Sequence, residues 1–183
     1  MNTHTLMETR DIFKIFEDDN HYPSLPEHRK TVAVSLTAVT FNAHHLEYVP
    51  ESVISKEFEG REICRAALEA KNAECTILPY IPFTDVQKEG IERFLGETSA
   101  FVLYSFADIR DAQMAQDAVK ADAYCIQLVP DELLTKDLCR TTLQNPDIDG
   151  RMKQYVFERF PELKTEQMQN DEKQSQKEMK IKF

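Results

Sequence analysis

Two segments of the chain repeat the same residue types at the same spacing, and this repetition constrains the fold more than any other feature. Residues 38–51 match residues 118–131 at an Ala-Val pair, an internal alanine, an aliphatic residue and a closing Val-Pro-acid triplet. Further along, and in the same order, Ile63-Cys64-Arg65 matches Leu138-Cys139-Arg140. Repeats of this kind indicate structural units that bury their apolar faces against one another.

Glycine is scarce in this chain. Its 183 residues include only four glycines, against about a dozen expected from an average usage of about 7%. Tight hairpins and phosphate-binding loops both depend on glycine, so a β-rich fold and a nucleotide cradle are disfavoured. We therefore expect an all-α protein in which duplicated helix-turn-helix repeat units pack as a short helical array, with a polar C-terminal tail.

The expected organisation has four parts. Residues 1–22 form an N-terminal helix that can cap the array, and residues 23–107 and 108–161 form the first and second repeat halves. Beyond Pro161 the sequence is rich in Gln, Glu and Lys. This composition is typical of a solvated segment, so residues 162–183 are expected to form a flexible tail, either disordered or a frayed helix.

Several local patterns predict helix positions. Ser24 with Glu27 and Thr84 with Gln87 have capping-box spacing, which predicts a helix start at each place. Gly90, inside the second of these helices, costs about 1 kcal/mol relative to alanine and weakens that prediction. The helix that starts near Ser24 would carry one apolar stripe at helical spacing, formed by Val32, Leu36, Val39 and Ala43. Other helices are expected over residues 5–18, 60–71, 108–121, 135–144 and 148–160.

Two local conformations stay open at this point. Residues 100–107 fit either a strand or a buried helix, of which the repeat scheme favours the helix. Each repeat turn ends in Val-Pro, so Val49 and Val129 are either extended or at helix ends. Alternatively, Pro50 and Pro130 occupy the first position of the next helix.

The phrase Ala-Val-x-x-Asn-Ala-x-x-Leu-Glu-Tyr-Val-Pro-Glu, from Ala38 to Glu51, resembles a bacterial tandem helical-repeat family of unknown function. In that family a helix with an Ala-Val pair is followed by a Leu-x-Tyr-Val/Ala-x-Glu turn and another helix. The resemblance covers Ala38–Leu68 and, more loosely, Ala118–Leu143. It implies helical repeats and macromolecular contacts, and it brings no catalytic residues with it.

The chain is acidic, with a formal net charge of −10 from 22 basic and 32 acidic residues. Nucleic-acid affinity comes largely from Lys and Arg, so direct nucleic-acid binding is disfavoured. The negative charge suits either solubility or a basic partner surface. The N-terminus lacks the features of a signal peptide and no apolar run is long enough to span a bilayer, so we expect a cytoplasmic protein with reduced cysteines and no membrane contact.

No metal, cofactor or catalytic signature stands out. The four cysteines lack Cys-x-x-Cys spacing, and Cys64 and Cys139 are interpreted as core residues on apolar helix faces. The His44-His45 pair is a weaker metal candidate, because adjacent helical residues diverge. Asp147-Ile148-Asp149-Gly150 resembles the start of a calcium loop, but its glycine is misplaced for one.

Aromatic and acidic residues near the repeat turns are the better candidates for a binding site. If the turns line one face, they form an aromatic, acid-rimmed edge of the kind favoured at interfaces. The predicted partner-binding residues are Tyr48, Glu51, Tyr80, Tyr124, Asp131 and Glu132. We therefore expect a non-enzymatic domain that mediates protein–protein interaction. The alternatives are an acidic nucleic-acid mimic that inhibits a DNA-binding protein, and an enzyme with an unrecognised site.

Overall fold

Helices joined by turns make up the part of the chain that the computed structural model describes, residues 3–95 and 97–169, and no strand occurs there. The predicted all-α class is therefore confirmed. The chain divides into two compact units, Met1–Asp108 and Ile109–Phe183. This division falls beside the boundary expected between the two repeat halves.

The first unit is built around a central apolar helix that packs against the helices before and after it. Its α-helices are α1 Thr3–Glu17, α2 His21–Ser24, α3 Val32–Phe41, α4 Glu51–Ile54, α5 Glu59–Glu69, α6 Thr84–Phe94 and α7 Ala100–Phe106. Helix α3 contacts both α1 and α5. Its Val34, Ala38 and Val39 are buried to 0% exposure, so the core of this unit centres on α3.

The second unit has a similar but shorter plan. Its α-helices are α8 Ala112–Ala121, α9 Lys136–Gln144, α10 Gly150–Arg159 and α11, which covers residues 161–169. Helix α8 packs against α9, and α10 also contacts α9. Met114, Ala118, Cys139, Met152 and Val156 form much of its core.

Short 3₁₀ helices connect the α-helices. Three of them are six residues long, and we call them the first, second and third turn helices: Ala43–Tyr48, Cys75–Tyr80 and Ala123–Leu128. Two others are single turns, Glu27–Arg29 and Asp131–Leu133.

The matched sequences adopt the same local conformation. Asn42 and Asp122 leave the helix with φ/ψ of −142°/111° and −153°/118°. Each donates its backbone N–H to the alanine four residues earlier, over 2.9 Å in both cases. Each side chain then accepts the backbone N–H two residues on, at His44 and Tyr124. Both repeats therefore stop the helix and start the turn helix in the same way, while packing of the units as one array remains a prediction.

Both Val-Pro pairs are extended in the structure, which is one of the alternatives that the sequence left open. Val49 and Val129 have ψ of 125° and 124°, and Pro50 and Pro130 are extended with ψ of 145° in both. Each proline therefore precedes the next helix, so the prediction of proline at the first helical position was wrong.

The predicted helix start at Ser24 was also wrong. Ser24 ends the short α2, and its hydroxyl donates to the His21 carbonyl. Helix α3 begins at Val32, where the Thr31 side chain accepts the Val34 N–H. The predicted apolar stripe from Val32 to Ala43 is not formed either, because Asn42 ends the helix before Ala43. The buried face of α3 is instead formed by Val34, Ser35, Ala38 and Val39.

Other helices are close to their predicted ranges. Of residues 100–107, Ala100–Phe106 form a helix, α7, as the repeat scheme favoured, and Ala107 is its extended C-cap. Helices α8 and α10 begin later than expected, because Asp111 and Asp149 accept the N–H groups of Met114 and Met152 and so act as N-caps. Helix α6 does begin at Thr84, but without a capping box: Gln87 is fully buried and donates to the Leu78 carbonyl over 3.1 Å.

The beginning of the expected flexible tail is structured. Residues 161–169 are helical, and Leu163 is only 2% exposed. Glu166 in the same helix pairs with Lys136 and Arg140 of α9. The composition that predicted a solvated tail thus includes a helix docked by one leucine and a set of ion pairs. Residues 170–183 lie outside the described part of the chain.

Candidate functional site

Two of the predicted tyrosines lie together on the first unit. Tyr48 ends the first turn helix and Tyr80 ends the second, and these two turn helices pack against each other. Tyr48 is 43% exposed and Tyr80 is 41% exposed. Each ring therefore has one part against the protein and another part in solvent.

Glu47 lies beside the Tyr80 hydroxyl. The pKa of the Tyr80 hydroxyl is raised, first by partial burial and then by the charge of Glu47, which also accepts a hydrogen bond from this hydroxyl. The neighbouring Tyr48 raises the same pKa further. The Tyr80 hydroxyl is therefore oriented towards Glu47, while part of the Tyr80 ring stays exposed.

A lysine lies beneath Tyr48. The Lys30 ammonium is 5.8 Å from the centre of the Tyr48 ring and 5.2 Å from the centre of the Tyr22 ring. It donates to the Pro23 carbonyl over 3.3 Å. Burial lowers the pKa of Lys30, with Glu27 opposing that shift. Cation–π contact of this kind holds the Tyr48 ring from below.

A polar network holds the turn helices in place. The Asn72 amide donates to the Asn42 side chain over 2.7 Å, and its carbonyl oxygen accepts the Ala43 N–H over 3.0 Å. Asn42 in turn donates to both carboxylate oxygens of Asp19, at 2.9 Å each. The buried His45 ring contacts the Asp19 carbonyl at 2.9 Å. The loops after α1, α3 and α5 are therefore connected by side-chain hydrogen bonds at the start of the first turn helix.

We call the group formed by Lys30, Glu47, Tyr48, Glu51 and Tyr80 the tyrosine surface. Glu51 is exposed at the start of α4, three positions after Tyr48. Of these five, the sequence pointed to Tyr48, Glu51 and Tyr80 and missed the other two. Glu47 could have been found as the acid next to Tyr48, whereas only the fold brings Lys30 under that ring.

The other three predicted residues belong to the second unit. Tyr124 is the second residue of the third turn helix rather than its last, and the residue that corresponds to Tyr48 is Leu128. Asp131 and Glu132 are exposed in the next single turn. Burial raises the pKa of Tyr155, and the charge of Asp131 adds to this shift, whereas Arg159, whose guanidinium lies 3.7 Å from the ring centre, opposes it. Tyr124 therefore does not occupy the position in its turn helix that Tyr48 and Tyr80 occupy in theirs.

The weaker site candidates are engaged in the fold. Cys64 and Cys139 are fully buried, as predicted for core residues, and burial raises the pKa of their thiols to about 12 and about 11. His45 is buried while His44 is exposed, so the pair does not converge on one point. Asp149, from the calcium-like motif, is the N-cap of α10.

Neither a metal centre nor a membrane span is found in the described part of the chain. Within residues 3–95 and 97–169, no three or more His, Cys, Asp or Glu side chains are grouped so that they could hold a metal ion. None of the helices described there is both long and apolar enough to cross a bilayer.

Comparisons of the chain with protein-family models, with curated proteins and with solved structures gave no match in any of the three.

Proposed function

We propose that this protein is a non-enzymatic binding domain that contacts another protein through the tyrosine surface. The observation that carries the proposal is the adjacency of Tyr48 and Tyr80, each with about two fifths of its surface exposed. Tyrosine is enriched at protein interfaces because its rigid ring offers much contact area for little conformational entropy. Here the Lys30 ammonium also supports the Tyr48 ring, and the asparagine network fixes the start of the first turn helix.

The charge around the rings favours a basic partner. Glu47 and Glu51 lie beside the tyrosines, and the chain as a whole has a net charge of −10. Complementary charge at an interface accelerates association and selects partners more than it adds affinity. We infer a partner patch that places an apolar or planar group on the rings and Lys or Arg at the rim.

Nucleic-acid mimicry ranks second. The acidic net charge supports it, but several acids are already paired with bases on neighbouring helices, including Asp85, Glu89, Glu162 and Glu166. Such pairing reduces the negative field that a mimic of the phosphate backbone needs. An enzymatic role ranks third, because burial raises the pKa of the Cys64, Cys125 and Cys139 thiols and so disfavours them as nucleophiles.

The test is affinity capture of the tagged protein from lysate of its source, at low and at moderate salt, with bound protein and nucleic acid identified. The proposal expects one stoichiometric protein that survives moderate salt. Tyr48→Ala and Tyr80→Ala should each weaken its binding by about tenfold or more, as expected for interface anchors. Tyr80→Phe keeps the ring and should retain most of the affinity.

Glu92→Ala, at an exposed position of α6, is the matched control and should bind like the unaltered protein. Thermal unfolding of each variant must stay close to that of the parent. Capture that is unchanged by both tyrosine substitutions would refute the tyrosine surface. A DNA-binding protein that is captured and then released by added DNA would favour the mimic instead.

A further inference from the structure

A second surface of the first unit exposes large apolar side chains. Two neighbouring cavities, of about 390 and about 420 Å³, lie over α3 and both are lined by Leu36. The first is lined by Phe16 of α1 and by Leu36, Thr37, Thr40 and Phe41 of α3. The second extends from Leu36 to Phe58 and α5. We call this pair of cavities the phenylalanine groove.

The aromatic rings at the groove are unusually exposed for their size. Phe16 is 57% exposed, Phe41 45% and Phe58 76%. Phe13, one helical turn before Phe16, is 66% exposed. The rings of Phe16 and Phe41 meet edge to face, with centres 5.6 Å apart. Exposed apolar residues that occur singly are ordinary, but a contiguous group of this size marks an interaction site.

The two threonines in the first cavity do not interrupt its apolar character, because their hydroxyls form hydrogen bonds within their own helix. The Thr37 hydroxyl donates to the Ala33 carbonyl over 2.9 Å, and the Thr40 hydroxyl donates to the Leu36 carbonyl over 2.7 Å. Both hydroxyls are thus satisfied by their own helix. An apolar ligand can cover these threonines without leaving a polar group unpaired.

The charge that is not used in ion pairs at the edge of the second cavity is negative. Its bases, Arg61 and Arg65, are paired with Glu57, Asp85 and Glu89. Its acids, Glu62 and Glu69, have no ion-pair partner in residues 3–95 and 97–169. The charge left for a ligand at this edge is therefore negative.

We propose that the phenylalanine groove binds a basic amphipathic helix of a partner protein. Apolar side chains at i, i+3 or i+4 and i+7 would fill the cavities on the two sides of Leu36, as in helix-in-groove recognition. Lys or Arg beside them would face Glu62 and Glu69. A second copy of this chain fits less well, because two molecules of net charge −10 repel each other.

This inference does not depend on the tyrosine surface, with which the groove shares no residue. The probe is a fluorescent model peptide with leucines at i, i+3, i+4 and i+7 and lysines on its other face, followed by fluorescence anisotropy. Two control peptides keep the leucines with glutamate in place of lysine, or keep the composition in scrambled order. The groove should bind the basic amphipathic peptide at least about tenfold more tightly than either control.

Substitutions then locate the binding. Phe16→Ser and Phe41→Ser should each reduce peptide affinity by about tenfold, since anchors in an apolar pocket dominate binding. Glu62→Lys should weaken binding of the basic peptide and strengthen binding of the acidic control peptide. Both changes in affinity should become smaller at high salt. Glu92→Ala, at an exposed position of α6 that lines neither cavity, is the matched control and should bind the peptide like the parent.

Other outcomes overturn the proposal. Equal affinity for the basic and scrambled peptides, or affinity that the phenylalanine substitutions leave unchanged, would show that the groove is not the site. A concentration-dependent dimer that Phe16→Ser abolishes would assign the groove to self-association instead. Circular dichroism of each variant distinguishes a lost contact from a lost fold.

Discussion

At the scale of single residues, Gly60 marks the closest approach between two elements. It lies in the first turn of α5, against the end of α4. A Cβ atom built at Gly60 would be 2.0 Å from the Ile54 carbonyl oxygen and 3.1 Å from the Phe83 ring. A backbone oxygen cannot move aside as a flexible side chain can, so any larger residue must separate α4 from α5.

We expect Gly60→Ala to destabilise the fold by about 3 kcal/mol, the upper range for overpacking a tight site. Gly150→Ala is the matched control: Gly150 begins α10, and a Cβ there would meet nothing within 4 Å. Alanine at Gly150 should be neutral or stabilise by up to about 1 kcal/mol, since it restricts the unfolded chain. Urea unfolding measures both, and equal effects would show that the contact with Ile54 is unimportant.

Gly90 illustrates what sequence reasoning lacks at this scale. The sequence assigned it only a helix penalty of about 1 kcal/mol. In the structure a Cβ at Gly90 would be 2.6 Å from Leu78 Cδ2 and 2.9 Å from Leu68 Cδ2. The glycine therefore lets α6 approach α5 and the second turn helix. The partners are distant in sequence, so no local pattern could indicate this role.

At the scale of elements, the two units contain the same arrangement of charges between helices. In the first unit Arg61 and Arg65 of α5 pair with Asp85 and Glu89 of α6, with Arg65 to Glu89 at 2.8 Å. In the second, Lys136 and Arg140 of α9 pair with Glu162 and Glu166 of α11. Each partner set is spaced i, i+4, so it lies along one helix face. Arg65 and Arg140 are also the matched residues of the sequence repeat.

These pairs predict matching responses to charge reversal. Arg65→Glu and Arg140→Glu should each lower the Tm at low salt, because each places like charges together. The exchanged pair Arg65→Glu with Glu89→Arg should recover most of the loss. At about 1 M salt, where the Debye length is about 3 Å, the differences should largely disappear. A loss of Tm that neither the exchange nor salt relieves would indicate that the arginine acts by packing.

Most of the helices could be predicted from the sequence, and most of their starting residues could not. The apolar face of α5, with Ile63, Cys64, Ala67 and Leu68, is found where periodicity places it. Capping was less predictable, because Ser, Thr, Asp and Gln serve several purposes. Thr31 and Asp111 cap their helices, whereas Gln87 is drawn into the core by the Leu78 carbonyl. The pattern identifies candidates, and packing decides among them.

At the scale of the whole molecule, three buried thiols and one buried phenol make the free energy of unfolding depend on pH in the alkaline range. Burial raises the pKa of Cys64 and Cys125 from 9.0 to about 12, and that of Cys139 to about 11. It also raises the pKa of Tyr22 from 10.0 to about 12. Above pH 9 the unfolded chain loses thiol protons that the folded chain keeps, so unfolding releases protons.

Stability should therefore be unaffected by these thiols below about pH 9 and should fall as the pH rises towards their folded values. Each thiol contributes at most about 1.4 kcal/mol per pH unit. Urea unfolding between pH 8 and pH 11 measures the slope, in water kept free of oxidant. Cys64→Ala should make the slope shallower by one thiol's share. An identical slope in that variant would contradict the assignment to Cys64.

The candidate site was predictable only in part, for a reason that also belongs to this scale. Tyr48 and Tyr80 were identifiable as residues near turns, but their adjacency depends on the packing of two turn helices. Tyr124 lies earlier in its repeat, just before Cys125, at the position that corresponds to His44. Phe13, Phe16 and Phe41 have the helical spacing of core residues, and only the fold leaves them exposed.

The asparagine network at the start of the first turn helix also bears on the thermodynamics with which the proposed partner would bind the tyrosine surface. Asn42 and Asn72 already join three loops in the free protein, through contacts of 2.7 to 3.0 Å. A partner that covers Tyr48 and Tyr80 thus meets a preorganised surface and spends no binding free energy on ordering loops. Its heat-capacity change should follow from the apolar area covered alone, without the large negative contribution that accompanies coupled folding.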